Sequence, residues 1–267
     1  MRCCSSGGCA PGRCLARRRG FTIVELIVLV AVMGLLVGLL IPALGASRQR
    51  AKAQDCAARL QQIGIATNLY LNDSGGALPQ VLRVDAATGE ARVSPLLFGG
   101  KRGTVARDGA NQVGGGERPL NSYVARSANP TDAQLETFRS PADEGGDLPG
   151  VGRVASAFEA FGTSYAVNDR LLRESPGEPP VATLIPAAGG AMPKVTTPAQ
   201  TWMLGSHPIH NFDIGHDHQF RWYGGIEVKA NLLMVDMHSQ SQVPVATGAM
   251  QTTETYTFKP MPNWPAP

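Results

Sequence analysis

One carboxylate stands alone in the most apolar stretch of the chain. Glu25 follows the cations Arg17–Arg19 and Gly20, and it precedes nineteen uncharged residues, 26–44. A carboxylate inside a membrane span costs about 3 kcal/mol on insertion scales, so it is functional by default and requires a partner. Cleavage after Gly20 would create an amino group at Phe21. That cation, on the same chain or on a neighbouring copy, could pair with Glu25.

The histidines form a second group of residue types that could do chemistry. All five lie between positions 207 and 238. The pairs His207/His210 and His216/His218 have spacings that can supply ligands to Zn²⁺ or Ni²⁺. The alternative is an exposed loop followed by a hairpin histidine, His238, that donates a local hydrogen bond. We prefer the exposed loop, and both interpretations remain open on the sequence alone.

Two further kinds of site are considered and not preferred. The acidic loop Asp143–Asp147 could bind Ca²⁺ through carboxylate and carbonyl oxygens, but it lacks an EF-hand pattern, and a solvated turn is the preferred interpretation. The chain also lacks the G-x-S-x-G, P-loop and HExxH motifs of common enzymes. The sequence therefore predicts neither an enzyme nor a firmly bound cofactor.

The segment around Glu25 is expected to be a membrane-spanning helix. Residues 26–44 would extend about 28 Å as an α-helix, which matches the hydrocarbon core of a bilayer. Pro42 is expected to bend this helix without ending it, because helix-forming sequence continues directly after it. Gly34 and Gly38 have the spacing that allows helices to approach closely in membranes.

The same helix is expected to continue as an amphipathic segment, residues 45–72. Apolar or small residues recur there every three or four positions, while charged residues occupy the other faces. This apolar stripe consists of Ala53, Cys56, Leu60, Ile63, Thr67 and Tyr70. We expect it to pack on a head formed by residues 73–267, and we expect Asn72–Gly76 to end the helix.

The first twenty residues dominate the charge of the chain. They contain five arginines and no acid, so the formal net charge of +3 becomes −2 without them. Nucleic-acid binding is therefore not predicted. Arginines before an apolar span keep the N-terminus in the cytoplasm. Four of the five cysteines also lie there, which leaves Cys56 with no partner for an intramolecular disulfide.

The head is expected to be rich in loops, with short strands. The chain has 31 glycines and 20 prolines, and only 6% of its residues are aromatic. Residues 99–116 are glycine-rich and charged, which predicts an exposed loop, and Thr131–Phe138 predicts a short helix. Strands are predicted within 78–84, 91–98, 161–168 and 195–205, in a hairpin at 230–238, and as an edge strand at 252–258.

The N-terminal pattern resembles type IV pilins and the pseudopilins of type II secretion. That family has a basic leader ending in glycine, then a hydrophobic residue, with glutamate at the fifth mature position; these are Gly20, Phe21 and Glu25 here. The resemblance implies cleavage between Gly20 and Phe21 by a membrane prepilin peptidase and N-methylation of Phe21. It also implies that Glu25 registers each subunit during assembly, and it places the helix bend at Pro42.

Three head segments resemble a planctomycete-type group of pilin-like proteins with large heads. Phe138–Asp143 resembles F-x-C-P-S-D, Ser164–Asn168 resembles S-Y-x-x-N, and Ala230–His238 resembles A-N-V-L-F-A-D-G-H. Ser140 replaces the cysteine of this group, and Met237 replaces the usual glycine. Since a non-glycine residue at positive φ costs about 1 kcal/mol, another turn type is expected at Met237.

The resemblance implies a pilin-like α+β fold, with a long N-terminal helix packed on an antiparallel sheet. The expected parts are a leader (1–20), a transmembrane half-helix (21–44), an amphipathic half-helix (45–72) and the head (73–267). Their expected location is the inner (cytoplasmic) membrane as a single-pass protein, with the N-terminus in the cytoplasm and the head in the periplasm or outside the cell.

Two functions are compatible with this organisation. The first is a structural subunit of a type II secretion-like pseudopilus or type IV pilus-like filament. Its partners would be the prepilin peptidase, like subunits and an inner-membrane assembly platform. The second is a membrane-anchored periplasmic binding module that does not polymerise. The resemblance favours the filament subunit, because it implies a role in assembly for Glu25 that a simple anchor would not require.

Overall fold

The fold combines one long helix with small antiparallel sheets. The computed structural model describes residues 20–84, 91–148, 150–169, 171–172, 181–186, 189–212, 217–248 and 252–264. The chain divides into two compact units, with the boundary between Ala46 and Ser47. The N-terminal helix and the antiparallel pairing of the described strands confirm the predicted α+β class.

The long helix α1 extends from Ile23 to Asp73 and passes through Pro42 without interruption. It begins two residues after the predicted start at Phe21. Every residue from 20 to 52 is exposed, and the apolar run before Ala46 has the length and composition of a membrane span. Within the part of the chain that the structure describes, α1 is the one helix that meets these criteria.

The C-terminal half of α1 buries the predicted apolar stripe. Its spacing of three and four residues places these side chains on one face of the helix, which packs into the main hydrophobic core. Tyr70 is half-buried at the end of the stripe. On the rim of this face, the Arg59 guanidinium donates to the carbonyls of Glu136 and Arg139, at 2.6 and 3.0 Å. The buried residues of α1 are Ala53, Cys56, Leu60, Ile63, Gly64, Ala66 and Thr67.

A four-stranded antiparallel sheet forms the centre of the second unit. Its strands are β5 (Tyr165–Val167), β8 (Trp202–Ser206), β9 (Lys229–Met234) and β10 (Ser239–Pro244). They are arranged in the order β10-β9-β8-β5. Every residue of β5 and β8 is buried, as are five of the six in β9, because α1 covers one side and a second apolar cluster forms on the other.

Shorter elements surround this sheet. The predicted strands at 78–84 and 91–98 are present only in part, and the predicted helix at 131–138 is a 3₁₀ helix over Asp132–Phe138. The remaining strands pair in antiparallel hairpins. They are β1 (Leu82–Val84), β2 (Ala91–Val93), β3 (Gly146–Leu148), β4 (Gly152–Val154), β6 (Leu171–Leu172) and β7 (Val181–Ala182), and the short helices are α2 (Asn121–Ala125) and α3 (Ala157–Phe161).

The prediction of an exposed loop at 99–116 is only partly right, because Arg102, Thr104 and Asp108 are exposed while other residues of the segment are buried. The backbone of Gly100 has φ +96°, and a Cβ there would lie 2.0 Å from the carbonyl oxygen of Gly162. Ala110 and Val113 are buried. The glycines of this loop therefore allow close backbone packing against the end of α3, and the fully buried Arg118 side chain holds the loop in place.

Two further expectations are corrected, one in the β9–β10 hairpin and one at residues 252–258. Met237 has φ +72°, so this non-glycine residue does adopt the left-handed conformation. Its side chain packs against the main core, which offsets the backbone strain. The edge strand predicted at 252–258 is also wrong, since this segment forms only isolated bridges, Thr252 with Thr257 and Thr201 with Thr257.

Candidate functional site

Glu25 lies in the first turn of α1, where it forms a reciprocal capping box with Thr22. The Thr22 backbone N–H and side-chain hydroxyl donate to Glu25 Oε2, at 2.8 and 2.9 Å. In return, the Glu25 backbone N–H donates to Thr22 Oγ1 at 3.2 Å. This arrangement satisfies N-terminal groups of the helix that would otherwise lack partners, and it fixes the position of the carboxylate.

The surroundings of this carboxylate are apolar and open. Phe21, Ile23 and Val24 are 69–83% exposed, and the large apolar side chains that follow them are also exposed. Glu25 Oε1 accepts no hydrogen bond from the residues that the structure describes, because the Thr22 donors use Oε2. The carboxylate therefore has a free acceptor atom on a surface suited to packing against other apolar helices.

The sequence carries a signal for this local geometry. Thr22 and Glu25 have the T-x-x-E spacing of a capping box directly before an apolar run. Thr22 is therefore part of the candidate site, together with the predicted residues Gly20, Phe21 and Glu25. Gly20 and Phe21 precede the helix, and both are exposed.

His207 is a buried aromatic-core residue. It begins a 3₁₀ helix, His207–His210, and its ring lies 5.2 Å from Phe161 and 6.2 Å from Trp222, centroid to centroid. Burial lowers the pKa of the His207 imidazole to about 4, although the nearby Asp143 carboxylate acts in the opposite direction. The side chain is therefore neutral at physiological pH, and it packs among these rings as an uncharged aromatic group.

His210 and His218 also pack against aromatic side chains. His210 lies against Trp202, with ring centroids 5.7 Å apart, and His218 is 1% exposed beside Phe220. The alternative expectation of an exposed loop is therefore wrong for His207 and His218. His216 lies outside the described residues. Among the residues that are described, no three His, Cys, Asp or Glu side chains converge to hold a metal ion, and the Zn²⁺ site stays a prediction.

His238 belongs to a separate position on the surface. Its Nδ1 atom lies 2.5 Å from Asp236 Oδ1, and both side chains are more than a third exposed. This is the local hydrogen bond expected for a hairpin histidine.

Asp143, the first residue of the predicted calcium loop, is used for structure. Its two carboxylate oxygens accept five hydrogen bonds, which fasten the start of α3 and the strand β5 to the loop. The donors are the backbone N–H groups of Gly145, Ala157 and Phe158 and the hydroxyls of Ser156 and Ser164, at 2.7–3.0 Å. Glu144 instead pairs with Lys52 on α1, at 3.6 Å. The acidic loop is thus a structural anchor in which the Asp143 oxygens are already occupied.

Cys56 is buried in a polar contact between α1 and the sheet. Its Sγ atom lies 3.1 Å from Tyr223 Oη and 3.5 Å from Tyr165 Oη. Burial raises the pKa of both tyrosine hydroxyls, so they remain protonated. On β9, Asn231 Nδ2 donates to the Ala53 carbonyl at 2.8 Å. These contacts fix the orientation of α1 on the sheet, a specificity beyond the simple apolar role predicted for Cys56.

No family model, curated protein or solved structure matches this chain.

Proposed function

We propose that this chain is a structural subunit of a filament of the type II secretion pseudopilus or type IV pilus kind. It would be made as a precursor, inserted in the inner membrane and cleaved between Gly20 and Phe21 by a prepilin peptidase. The proposal rests chiefly on one observation: the only carboxylate of the apolar helical segment, Glu25, is fixed at its first turn with one oxygen free.

The shape of α1 supports this proposal. Its apolar half is exposed throughout, so it requires either lipid or other apolar helices as partners. Its second half is buried in the core of the second unit. A subunit with this organisation can exchange lipid for neighbouring helices while its head stays folded. Gly34 and Gly38 are exposed and have open space at Cβ, which leaves room for close approach of another helix.

The chemistry at the N-terminus follows from Gly20, Phe21 and Glu25. Hydrolysis of the bond after Gly20 releases the leader carboxylate and leaves an ammonium group on Phe21. Transfer of a methyl group from a sulfonium donor to this nitrogen would retain its positive charge. In an apolar bundle, that cation and the free oxygen of Glu25 on a neighbouring copy would neutralise each other, and a subunit out of register would bury both charges unpaired.

Processing after Gly20 is the first test of this proposal. We expect mass spectrometry of the protein from a host with an active prepilin peptidase to give an N-terminal peptide beginning with methylated Phe21. Gly20→Val should leave the precursor intact, because a branched side chain obstructs the scissile bond, while Gly34→Ala should be processed normally. An intact precursor in the wild-type protein would contradict the proposal.

Substitution of Glu25 tests assembly. We expect Glu25→Ala to be cleaved and inserted but to lower the filament fraction, measured by shearing and sedimentation, by more than about tenfold, since close charge pairs contribute about 1.5 kcal/mol or more. Thr22→Val is the matched control, because it removes both capping hydrogen bonds of the Thr22 hydroxyl and keeps the carboxylate. If Thr22→Val impairs assembly as strongly as Glu25→Ala, helix capping explains the effect and the pairing role fails.

A further inference from the structure

The loop before β9 carries the most exposed large apolar side chain of the described residues. Ile226 is 90% exposed and follows two glycines with positive φ, Gly224 and Gly225. This loop contacts α1 at Gln49, since a Cβ on Gly224 would lie 2.3 Å from the Gln49 side-chain nitrogen. Ile226 is therefore held out to solvent by a loop that rests on the helix.

The loop contacts α1 close in sequence to the start of the second unit at Ser47. Asn231, just inside β9, contacts the helix at Ala53, and Leu233 contacts it further along, at Gly64. Within the second unit, the start of β9 and the loop before it therefore lie beside the N-terminal part of its segment of α1. Gln49 follows Leu44, the last large apolar residue of the span, by five residues, which reach at most about 18 Å.

Two arginines, Arg221 within this loop and Arg153 on β4, line one cavity. A surface cavity of about 440 Å³ is lined by Glu144, Arg153, Gln219 and Arg221. Arg221 Nη2 lies 2.6 Å from Asp217 Oδ2, and Arg153 Nη1 donates to Gln219 Oε1 at 3.0 Å. Each contact uses one nitrogen of the guanidinium, so each arginine keeps further N–H donors for an anion.

The surface around this loop and cavity differs in charge from the whole chain. We call this surface the proximal edge and define it as residues 48–52 of α1, the cavity residues, the loop 217–228 and Lys229 at the start of β9. It contains six cations, Arg48, Arg50, Lys52, Arg153, Arg221 and Lys229, against three acids, Glu144, Asp217 and Glu227. Residues 21–267 have a formal net charge of −2, so the cationic character is concentrated here. A cationic surface with one projecting apolar side chain suits an anionic bilayer.

We propose that the proximal edge binds the headgroups of anionic phospholipids while the subunit is anchored in the membrane. Arg153 and Arg221 contact lipid phosphates at the cavity, and Ile226 enters the interfacial layer. This binding holds the head in one orientation on the bilayer until the subunit leaves it. The proposal rests on the membrane anchor of the proposed function, and it does not require polymerisation.

The test uses the full chain in nanodiscs of phosphatidylcholine, with or without an equal share of phosphatidylglycerol. The leader cysteines are replaced by serine, Cys56 is buried, and a fluorophore is attached at Ile226→Cys. A matched chain carries it at Val84→Cys, an exposed position in β1, the strand that follows the other end of α1. We expect quenching by aqueous iodide to fall severalfold at position 226 in phosphatidylglycerol discs only, and to stay unchanged at position 84.

Charge variants separate headgroup binding from simple proximity. Since each basic residue near an anionic surface contributes about fivefold in affinity, Arg153→Gln with Arg221→Gln is expected to restore most of the iodide quenching at position 226. Arg126→Gln, another exposed arginine, is the control and should restore none. Both variants change exposed side chains, so their thermal unfolding should match that of the parent.

Each other outcome overturns a stated part of the proposal. Equal protection in both lipids excludes headgroup recognition, and protection that appears only when several chains share a disc identifies a second copy as the occupant. A chain that co-elutes with the discs but shows no protection overturns the proximal-edge proposal alone. A chain that does not co-elute overturns the membrane anchor and this proposal with it.

Discussion

Replacing Arg118 with methionine is expected to destabilise the head by about 3–5 kcal/mol, because buried carbonyls would lose their charged donor. The guanidinium donates to the carbonyls of Leu96, Gly99 and Phe161 at 2.8–3.2 Å, and more weakly to that of Ala110. Burial lowers the pKa of Arg118 to about 10, which still leaves the side chain charged at neutral pH. Methionine fills a similar volume but offers these carbonyls no hydrogen.

Denaturant unfolding of the detergent-solubilised chain measures this loss. Arg118→Lys should restore little of the lost stability. A single ammonium group cannot donate at once to carbonyls that lie on different sides of the planar guanidinium. Arg48→Met is the matched control, because Arg48 is exposed, and it should change the free energy of unfolding by less than about 0.5 kcal/mol. A loss below about 1 kcal/mol for Arg118→Met would mean that water replaces the guanidinium.

Acid should destabilise the head through His207. The folded-state pKa of His207 is about 4, below its ordinary value of 6.5, because the ring is buried among Phe161, Phe220 and Trp222. Between these two values the unfolded chain binds the proton that the folded chain excludes. The stabilisation is therefore complete above pH 6.5 and is lost as the pH falls towards 4, by about 3 kcal/mol in total.

The slope of stability against pH identifies the group responsible. The wild-type free energy of unfolding should fall between pH 6.5 and 4, and His207→Phe should flatten that dependence. His238→Gln alters an exposed histidine and should keep the slope. Three neighbouring groups also shift the pKa of His207. Asp143 and the Thr163 backbone raise it, and Arg107 lowers it. If His207→Phe keeps the full wild-type slope, another buried group controls the acid response.

The long-range organisation of α1 was predictable, because its signals are periodic and local. Unbroken apolar residues predicted the exposed half, and a spacing of three and four predicted the buried stripe. The loop at 99–116 was not, because glycine and charge are equally typical of exposed loops and of tight backbone packing. The distinction depends on Gly162 and Arg118, whose positions beside the loop follow from tertiary structure.

The candidate site divides in the same way. Glu25 was found from its isolation in an apolar run, and Thr22 could have been found from the capping-box spacing. The roles of Asp143 and His207 had no sequence signal, since an acidic loop and a histidine-rich segment predict ligands as readily as buried anchors. Their partners come from segments 13–21 residues distant for Asp143, and from Phe161, 46 residues distant, for His207.

The packing of α1 on the sheet has a consequence for the timing of folding during synthesis. Cys56 meets Tyr165 across 109 residues, and Ala53 meets Asn231 across 178. At about 5–20 residues per second, the ribosome takes roughly 10–35 s to supply the last partner of a helix it made first. During that interval the sheet that covers the stripe from Ala53 to Thr67 is incomplete, because β9 is synthesised after β5 and β8. The packing of α1 on the sheet can therefore be completed only after Asn231 has been made.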